Sequence, residues 1–585
     1  MKLIINNNEI LVEDGATILD AARTCGVYIP TLCHFEMPEV GVANKTGTCR
    51  VCMVEVEGRH NLLPACSTAA ADGMVVRTNT PRAVKSRRTM VELFLSNHPK
   101  DCLTCERNQN CELQSLAGEL GIREVKYNGE RMTFEKDTTS FSLIRNPEKC
   151  VLCRRCETMC NDFQTVGVYS AIHRGFSTTV GTAFDLPMID TCCTFCGQCV
   201  SVCPTGALTQ VDNTAEVWST LYDKESFVIV QTAPAVRAAL GEEFGMDIGS
   251  DVTGKMVAAL RRMGFDKVFD TNFAADLTVM EEAAEFIDRL QNGGRLPILT
   301  SCCPAWVKFI EHQFPELLDI PSSCKSPHEM LGAVAKTYFA EKTGVDPQKI
   351  TVVSVMPCLA KKYEAARPEL MYGTDRGYVD YVISTRELAR MIREAGIGFS
   401  ALPDEDFDSV MGESTGAALI FGVTGGVIEA VLRTAGFWLT GEPLQDVEFH
   451  ALRGIRGIRE ASVNIGGSDI KIAVAHGLGN ARRLLESIRD GKADYHAIEI
   501  MACPGGCVGG GGQPYYRNDL GVVKRRGETL YAGDRKNPRR CAHENTEVQM
   551  LYDKMLEKPG SHKAHELLHT KYLKRSGYHV FTDFT

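Results

Sequence analysis

The chain has 585 residues but lacks the apolar runs of a membrane protein. No stretch approaches the ~20 consecutive apolar residues that a membrane-spanning helix needs. A polar run of three asparagines at 6–8 stands where a signal peptide would have its apolar core. We therefore expect a chain without a membrane span, located in the cytoplasm.

The sequence also lacks an excess of positive charge. It has 64 Lys and Arg against 74 Asp and Glu, a net charge of −10, so no nucleic-acid partner is predicted. A nucleotide-binding loop is missing as well. The segment from His476 to Arg482 follows a predicted strand, but it has arginine where the third glycine of a dinucleotide loop belongs. We expect no flavin or nicotinamide site in this chain.

Cysteine, in contrast, is abundant, with 24 residues in the chain. In a chain without an export signal, many cysteines indicate metal ligation rather than disulfides. The length implies several domains, because single cores stop growing at about 250–300 residues. We divide the chain into segments that carry different cysteine sets, at 1–78, 79–139, 140–213, 214–520 and 521–585.

The first two sets of candidate ligands lie in the N-terminal segments. The first set, in a small α+β unit, predicts a [2Fe–2S] cluster, although its first gap departs from the plant-type spacing; its members are Cys33, Cys49, Cys52 and Cys66. The second set consists of His98, Cys102, Cys105 and Cys111. Zinc is an alternative for both sets. The position of the second set between two predicted clusters favours a [4Fe–4S] cluster.

Two cysteine runs in 140–213 share the spacing C-x2-C-x2-C-x3-C, which is typical of a two-[4Fe–4S] ferredoxin. The runs are Cys150, Cys153, Cys156 and Cys160, and then Cys193, Cys196, Cys199 and Cys203. In this pattern the fourth cysteine of each run ligates the other cluster. We therefore predict that Cys203 joins the first run and Cys160 the second. Cys192 is out of register and is not an expected ligand. Together the predicted clusters would form a path for electrons.

From residue 214 onward, apolar runs typical of strands alternate with helical patterns, which predicts parallel α/β sheets. Three cysteine motifs fall in this part: Thr-Ser-Cys302-Cys303-Pro, Met356-Pro-Cys358-Leu-Ala-Lys361, and Met501-Ala-Cys503-Pro-Gly-Gly-Cys507, which a glycine run follows. The first two motifs follow predicted strands, at whose carboxyl ends α/β sheets bind ligands. Four thiolates from these loops would be enough for one cubane iron–sulfur cluster, namely Cys303, Cys358, Cys503 and Cys507.

The three motifs, in this order, resemble those of the iron-only, or [FeFe], hydrogenases, and the resemblance covers essentially the whole chain. It implies ferredoxin-like N-terminal cluster domains and a catalytic domain of two α/β lobes with the active site between them. It also implies an H-cluster, in which the [4Fe–4S] cubane is joined through Cys507 to a two-iron subcluster with CO, cyanide and a dithiolate bridge. The implied reaction is H2 ⇌ 2 H+ + 2 e−.

By the same resemblance, Cys302 would pass protons to an amine in the dithiolate bridge. A thiol suits this role because its ordinary pKa is about 8.5 and is readily shifted; the alternative is a structural thiol. Glu282, Glu285 and Arg289 are spaced to share one face of a predicted helix, which in isolation is more often a solvated charge stripe. The resemblance implies the proton path Arg289–Glu285–Ser322–Glu282–Cys302.

The resemblance also assigns residues that would surround the subcluster. Lys361 would hydrogen-bond an anionic cyanide, where otherwise it would be a surface lysine. An apolar cradle would limit access of water to the iron; its members are Ala233, Pro234, Met356, Phe421 and Met501. Such residues are ordinarily found in any protein core.

The electron partner is less narrowly defined by the sequence. The chain resembles the catalytic subunits of multimeric, NADP-reducing hydrogenases, which implies partner subunits that bind flavin and NAD(P) or carry iron–sulfur clusters. A monomer that uses ferredoxin is the alternative. Residues 1–213 also resemble electron-transfer subunits of larger dehydrogenases, but Lys361 and the Cys302–Cys303 pair speak against that function. A third alternative is an iron–sulfur assembly or sensor protein. The last ~60 residues resemble a hydrogenase small subunit, fused here to the catalytic chain.

Overall fold

The computed structural model describes residues 1–44, 47–373, 376–442, 444, 448–455 and 457–575. All the candidate site residues named above lie within these ranges. Within them, no helix has the combination of length and apolar character that crossing a membrane requires.

The N-terminal unit is a five-stranded mixed sheet covered by one helix. Its strands, in spatial order, are Asn8–Leu11, Lys2–Ile5, Val75–Arg77, Met53–Val56 and Leu63–Pro64. The helix Ile18–Thr24 begins after Thr17, whose hydroxyl accepts from the amide of Asp20 while the Asp20 carboxylate accepts from the Thr17 amide. The strands Glu36–Met37 and Val42–Ala43 form a separate ribbon.

The next two segments are small and mainly loops around short elements. The helices Pro81–Asn97 and Glu112–Glu119 form the second segment. In the third, the strands Leu143–Arg145 and Leu208–Gln210 pair in antiparallel fashion and bring its two ends together. Between them lie the strand pair Ser170–Ile172 and Thr179–Gly181 and the helices Arg155–Thr158 and Gln198–Val202.

The part of the chain from residue 214 onward contains two four-stranded sheets, one in each lobe. The first sheet is entirely parallel, in the order Lys267–Asp270, Phe227–Thr232, Ile350–Met356 and Tyr381–Ser384. In the second sheet three strands are parallel and the last is antiparallel, in the order Ile298–Leu299, Ala497–Met501, Ser468–His476 and Ile458–Ile465. The predicted α/β class with two lobes is thereby confirmed.

Helices cover both sheets, and one of them packs against both lobes. The helices are Thr214–Tyr222, Pro234–Arg237, Thr253–Met263, Thr271–Asn292, Pro304–Gln313, Pro327–Val334, Ala340–Thr343, Ala360–Ala365, Thr385–Glu394, Gly416–Leu419, Gly426–Thr440 and Leu478–Arg489. On the helix Thr271–Asn292, Leu277 belongs to the core of the first lobe and Val279 to that of the second. This helix carries Glu282 and Glu285 and places them between the lobes.

The C-terminal tail adds the helices Leu520–Lys536, Thr546–Leu551 and His562–Leu568. Leu551, Ala564 and Leu568 are buried in the core of the first lobe, and Leu530 is buried beside Tyr516 in a cluster that includes residues of the ferredoxin segment. The tail is therefore an integral part of the catalytic fold.

Candidate active site

The three cysteine motifs come together from strands of both catalytic sheets. Cys358 follows a strand of the first sheet, whereas Cys303 and Cys503 follow strands of the second. Cys507 begins a short helical turn after Cys503. Because both sheets direct the carboxyl ends of these strands toward the boundary between the lobes, the loops meet there.

The four thiols lie close enough to act on one another electrostatically. Burial raises the pKa of Cys358, and the nearby thiols of Cys303 and Cys507 raise it further. Burial raises the pKa of Cys503 as well, with contributions from Cys358 and Cys303. Thiols that oppose each other's ionisation in a dry site are well suited to share a metal cluster, because the metal removes the repulsion between their thiolates.

The glycine run allows two of these loops to approach closely. A Cβ on Gly509 would lie 2.1 Å from the carbonyl oxygen of Pro504, and a Cβ on Gly510 would lie 2.2 Å from that of Pro357. Only glycine permits these backbone contacts. The first contact folds the loop of Cys503 and Cys507 on itself, and the second holds it against the loop of Cys358. Four interacting sulfur donors are the set that a cubane iron–sulfur cluster requires.

Lys361 is buried beside the cysteine pair. Its ammonium donates to Glu364 Oε2 at 2.6 Å and to the carbonyl oxygen of Cys302 at 3.1 Å. Although burial lowers the pKa of Lys361, the carboxylate of Glu364 and the nearby thiolates raise it, and the net shift is upward. The site therefore contains a permanent cation next to its sulfur donors.

Glu364 and His328 were not recognised from the sequence. His328 Nε2 lies 2.7 Å from Glu364 Oε2, so that the carboxylate oxygen has both Lys361 and His328 as partners. Burial raises the pKa of Glu364, but Lys361 and His328 outweigh this effect and lower it. The spacing of Lys361 and Glu364 within one helical turn was a usable signal, whereas His328 lies on a different helix.

Four members of the predicted proton path are neighbours in the order expected. Arg289 Nη2 donates to Glu285 Oε1 at 2.6 Å, and Ser322 Oγ donates to Glu285 Oε2 at 3.0 Å. The Ser322 hydroxyl also lies close enough to Glu282 to lower its pKa. The helix Thr271–Asn292 supplies both glutamates and the arginine on one face.

Glu282 is the most strongly perturbed acid in this series. Burial raises its pKa to about 8, with a further contribution from the charge of Glu285, although the amide of Ser301 and the hydroxyl of Ser322 act in the opposite direction. Burial also raises the pKa of the Cys302 thiol, and Glu282 is the next largest cause. Burial thus favours the protonated form of both groups, and they are close neighbours.

The five predicted cradle residues are all buried, but they divide between two apolar clusters. Phe421 and Met501 belong to the same cluster as Cys302 and Cys303. The others lie in or beside the first lobe, at the ends of its strands: Ala233, Pro234 and Met356.

The ferredoxin segment brings its cysteines together in the crossed arrangement. One small cavity is lined by Cys150, Cys153, Cys156 and Cys203. Another is lined by Cys160, Cys193, Cys196 and Cys199. Within each set, neighbouring thiols raise one another's pKa in addition to the effect of burial.

The structure brings the four cysteines of the first N-terminal set close together, whereas it shows fewer contacts among the members of the second set. Cys52 Sγ lies 3.3 Å from Cys66 Sγ, and Cys33 contacts the thiols of Cys49 and Cys66. In the second set, an electrostatic interaction joins Cys105 to Cys111. Its other two members differ in burial, since His98 is buried and Cys102 is exposed.

The cysteine sets form a branched series that ends at the active site. Asn44 Nδ2 donates to the carbonyl oxygens of Cys33 and Cys153, and so joins the first set to the ferredoxin segment. The second set reaches the same segment, because a Cβ on Gly206 would lie 2.9 Å from Cys105 Sγ. At the other end, the thiol of Cys196 acts on Cys503 of the active site.

The sequence comparisons agree with this architecture. Residues 226–511 match the family described as "Iron only hydrogenase large subunit, C-terminal domain", and residues 520–575 match "Iron hydrogenase small subunit". The N-terminal part matches a 2Fe-2S cluster-binding domain at 1–81, an iron–sulfur region of NADH-ubiquinone oxidoreductase at 87–126 and a 4Fe-4S domain at 188–209. The chain belongs to the iron-only, or [FeFe], hydrogenase family.

Similar proteins extend this assignment to the full length. The chain is 55% identical over 581 residues to an NADP-reducing hydrogenase subunit of Solidesulfovibrio fructosivorans, covering 98% of this chain and 99% of that one. It is 40% identical to iron hydrogenase 1 of Clostridium pasteurianum, covering 98% and 100%. A solved apo [FeFe]-hydrogenase variant from Chlamydomonas reinhardtii is 40% identical, with a TM-score of 0.57, and covers 63% of this chain and all of that one.

These findings confirm the prediction of an iron-only hydrogenase catalytic subunit that carries electrons through iron–sulfur domains. They also favour iron–sulfur clusters over zinc in the second set, because the matched iron–sulfur region contains His98 and its three cysteines.

Glu364→Gln should destabilise the protein and lower hydrogen turnover. The change leaves the Lys361 ammonium buried without its carboxylate, and removing one partner of a buried pair costs about 3–5 kcal/mol. Thermal unfolding and dye-linked hydrogen uptake would measure both effects. Glu341→Gln, at an exposed position, is the matched control. The double variant Lys361→Met/Glu364→Gln should be more stable than Glu364→Gln. A double variant less stable than Glu364→Gln would contradict the role assigned to the pair.

Proposed function

We propose that this chain holds a complete H-cluster and is the catalytic subunit of an NADP-linked hydrogenase complex. The observation that carries the proposal is the meeting of Cys303, Cys358, Cys503 and Cys507 with Lys361 and a fifth thiol, Cys302, beside them. When bound, the H-cluster supplies an open iron coordination position and an amine base, at which H2 is formed or split.

The protein's own groups would hold this cofactor and exclude water from it. The four cysteines would hold the cubane, and Cys507 would also hold the two-iron subcluster. Lys361 is oriented by Glu364 and would provide a donor for a cyanide. The buried cradle residues keep the site dry, which strengthens each of these polar interactions.

Protons would move between Cys302 and the protein surface through the two glutamates. Glu282 is protonated near neutral pH, so it can give a proton to Cys302 and then regain one. The Ser322 hydroxyl can accept and donate without changing charge. Arg289 does not release its proton, so its function is to orient Glu285 at the outer end.

Electrons would leave through the cysteine sets nearest the active site. We assign [4Fe–4S] clusters to the two crossed sets of the ferredoxin segment and to the set of His98, and a [2Fe–2S] cluster to the first set. The branched contacts give the chain two possible entry points for electrons. This suits a subunit that exchanges electrons with more than one partner.

The NADP link would depend on companion subunits. The segment that resembles a dinucleotide loop is covered by the ferredoxin segment, since Gln164 Oε1 accepts from the amide of Leu478 and a Cβ on Gly479 would lie 2.7 Å from the carbonyl oxygen of Phe163. A pyrophosphate cannot reach that helix terminus. None of the 24 cysteines, all of which lie within the described ranges, forms a disulfide. Because disulfides are rare in a reducing compartment, we place the complex in the cytoplasm.

The first test concerns the cofactor. The matured chain should show infrared stretching bands of CO and cyanide, and Cys507→Ser should lose them because the thiolate that joins the subcluster is gone. Cys192→Ser is the matched control, since this thiol is not an expected ligand, and it should keep the bands. Bands that persist unchanged in Cys507→Ser would exclude the assignment of the bridging residue.

The second test concerns the proton path. Glu282→Gln should lower hydrogen production on the order of 10²–10⁴-fold, because the amide cannot exchange a proton with Cys302. The infrared bands of the cofactor should be unchanged. Asp288→Asn lies on the same helix at an exposed position and should retain full turnover. Full turnover in Glu282→Gln would eliminate this path.

The third test concerns the partners. The protein purified from its native host should co-elute with subunits that contain flavin and NAD(P) sites, and that complex should reduce NADP with H2. The isolated chain should reduce only artificial dyes. Elution as a single chain that exchanges electrons with ferredoxin would favour the monomeric alternative.

A further inference from the structure

The C-terminal tail contacts the loop that carries Ser322 of the proton path. The amide of Lys325 donates to the carbonyl oxygen of Leu568 at 2.8 Å, and the amide of Thr570 donates to that of Ser323 at 2.8 Å. Tyr572 OH donates to the carbonyl oxygen of Ser322 at 2.6 Å. The tail is therefore fixed to the outer part of the path by backbone hydrogen bonds.

One side chain of the tail continues this contact toward Glu285. His569 Nδ1 lies 2.8 Å from Ser323 Oγ, and Ser323 Oγ donates to Glu285 Oε2 at 3.3 Å. The amide of Ser323 donates to the same carboxylate oxygen at 3.1 Å. The Ser323 hydroxyl thus connects the imidazole to the outer glutamate of the path, and the Ser323 amide supports the same glutamate.

The other ring nitrogen of His569 is paired with a fully buried acid. His569 Nε2 lies 3.0 Å from Glu281 Oε2, with 5% and 0% of the two side chains exposed. Glu281 also accepts from the hydroxyl of Tyr552 and from the amide of Gly560. A carboxylate with this many donors favours a charged imidazolium as its partner.

We propose that His569 is a positioning residue for the proton path, which acts through Ser323 to hold Glu285 as a charged carboxylate. This inference rests on the proposed path. A doubly protonated imidazole donates from both nitrogens, so Ser323 Oγ must accept from His569 and can give its single hydrogen only to Glu285. A neutral ring, which keeps its hydrogen on Nε2 beside Glu281, would instead accept that hydrogen at Nδ1.

Few other charged or titratable groups lie around the hydrogen-bonded series from His569 through Ser323 to Glu285. Glu285 has Arg289 as its ion-pair partner and the carboxyl of Glu282 nearby. The buried thiol of Cys324 is close to both acids and to Glu281. The ring of His565 stacks on that of His569 with centroids 3.9 Å apart. Of these groups, only His569 joins the tail to Glu285 through a hydrogen-bonded hydroxyl.

The consequence concerns hydrogen oxidation at low pH. Outgoing protons can pass only to an ionised Glu285, so turnover should fall at low pH, where this carboxyl is protonated. Removing a hydrogen-bond donor to a carboxylate disfavours its ionised form. In a plot of hydrogen oxidation rate against pH, the low-pH side, or acid limb, should therefore move to higher pH. The expected shift is about one pH unit for the loss of one such interaction.

The test uses the matured full chain with H2 and an artificial dye as acceptor, assayed across pH. Ser323→Ala removes the connecting hydroxyl and leaves the ion pair of His569 with Glu281 in place. His569→Gln removes the charge. Its amide nitrogen can donate to Glu281, and its carbonyl oxygen then accepts the Ser323 hydrogen in place of Glu285. Both should shift the acid limb upward by about one pH unit. Ser323→Thr, which keeps the hydroxyl, and His562→Gln, whose ring is exposed on the same helix, should leave the limb where it is.

A second readout separates positioning from a loss of structure. The carboxyl infrared band that disappears in Glu285→Gln should titrate at higher pH in Ser323→Ala, whereas simple destabilisation would lower the rate at every pH. If the acid limb of Ser323→Ala lies at the same pH as that of the unchanged protein, whatever its rate, the inference about His569 is overturned and the proposed proton path is not. Full turnover in both Glu282→Gln and Glu285→Gln would overturn the proton path, and this inference with it.

Discussion

Buried charge in the active site has to be offset locally, and the rest of the catalytic fold is arranged around that constraint. Thiolates in a dry cavity repel one another and are costly to desolvate. A cluster bound by Cys303, Cys358, Cys503 and Cys507 would offset their charge, and the ammonium of Lys361 lies beside them. Loops from two sheets are needed, because they approach one centre from several directions and close it to water.

The sequence predicted the parts of the site that depend on local spacing. The apolar runs that precede the cysteines were sufficient for the α/β class. The repeated spacing grouped the cysteines that the structure brings together in the ferredoxin segment. The crossed sets in the ferredoxin segment followed from the register of two similar runs, so that Cys203 could be grouped with Cys150 across more than fifty residues.

What the sequence did not predict depends on contacts between distant elements. Ser323 and His569 are separated by 246 positions in the chain, and no periodic pattern relates them. Asn44 joins two cysteine sets through its amide, although an isolated asparagine carries no sign of such a function. His328 lies beside Glu364 although the two residues are on different helices and 36 positions apart in the chain.

The arrangement of charges would allow one chain both to hold the proposed cofactor rigidly and to move protons along the proposed path. Glu285, Glu364 and Glu281 each have a cation or a histidine as partner, and such pairing fixes the charge of a buried acid. Glu282 has no such partner among the residues described. Its charge can therefore change at small cost near neutral pH, and it lies next to Cys302. If every acid of the path were in an ion pair, no acid could change its charge and no proton could pass. If none were paired, the side chains would not be held in the geometry that the path needs.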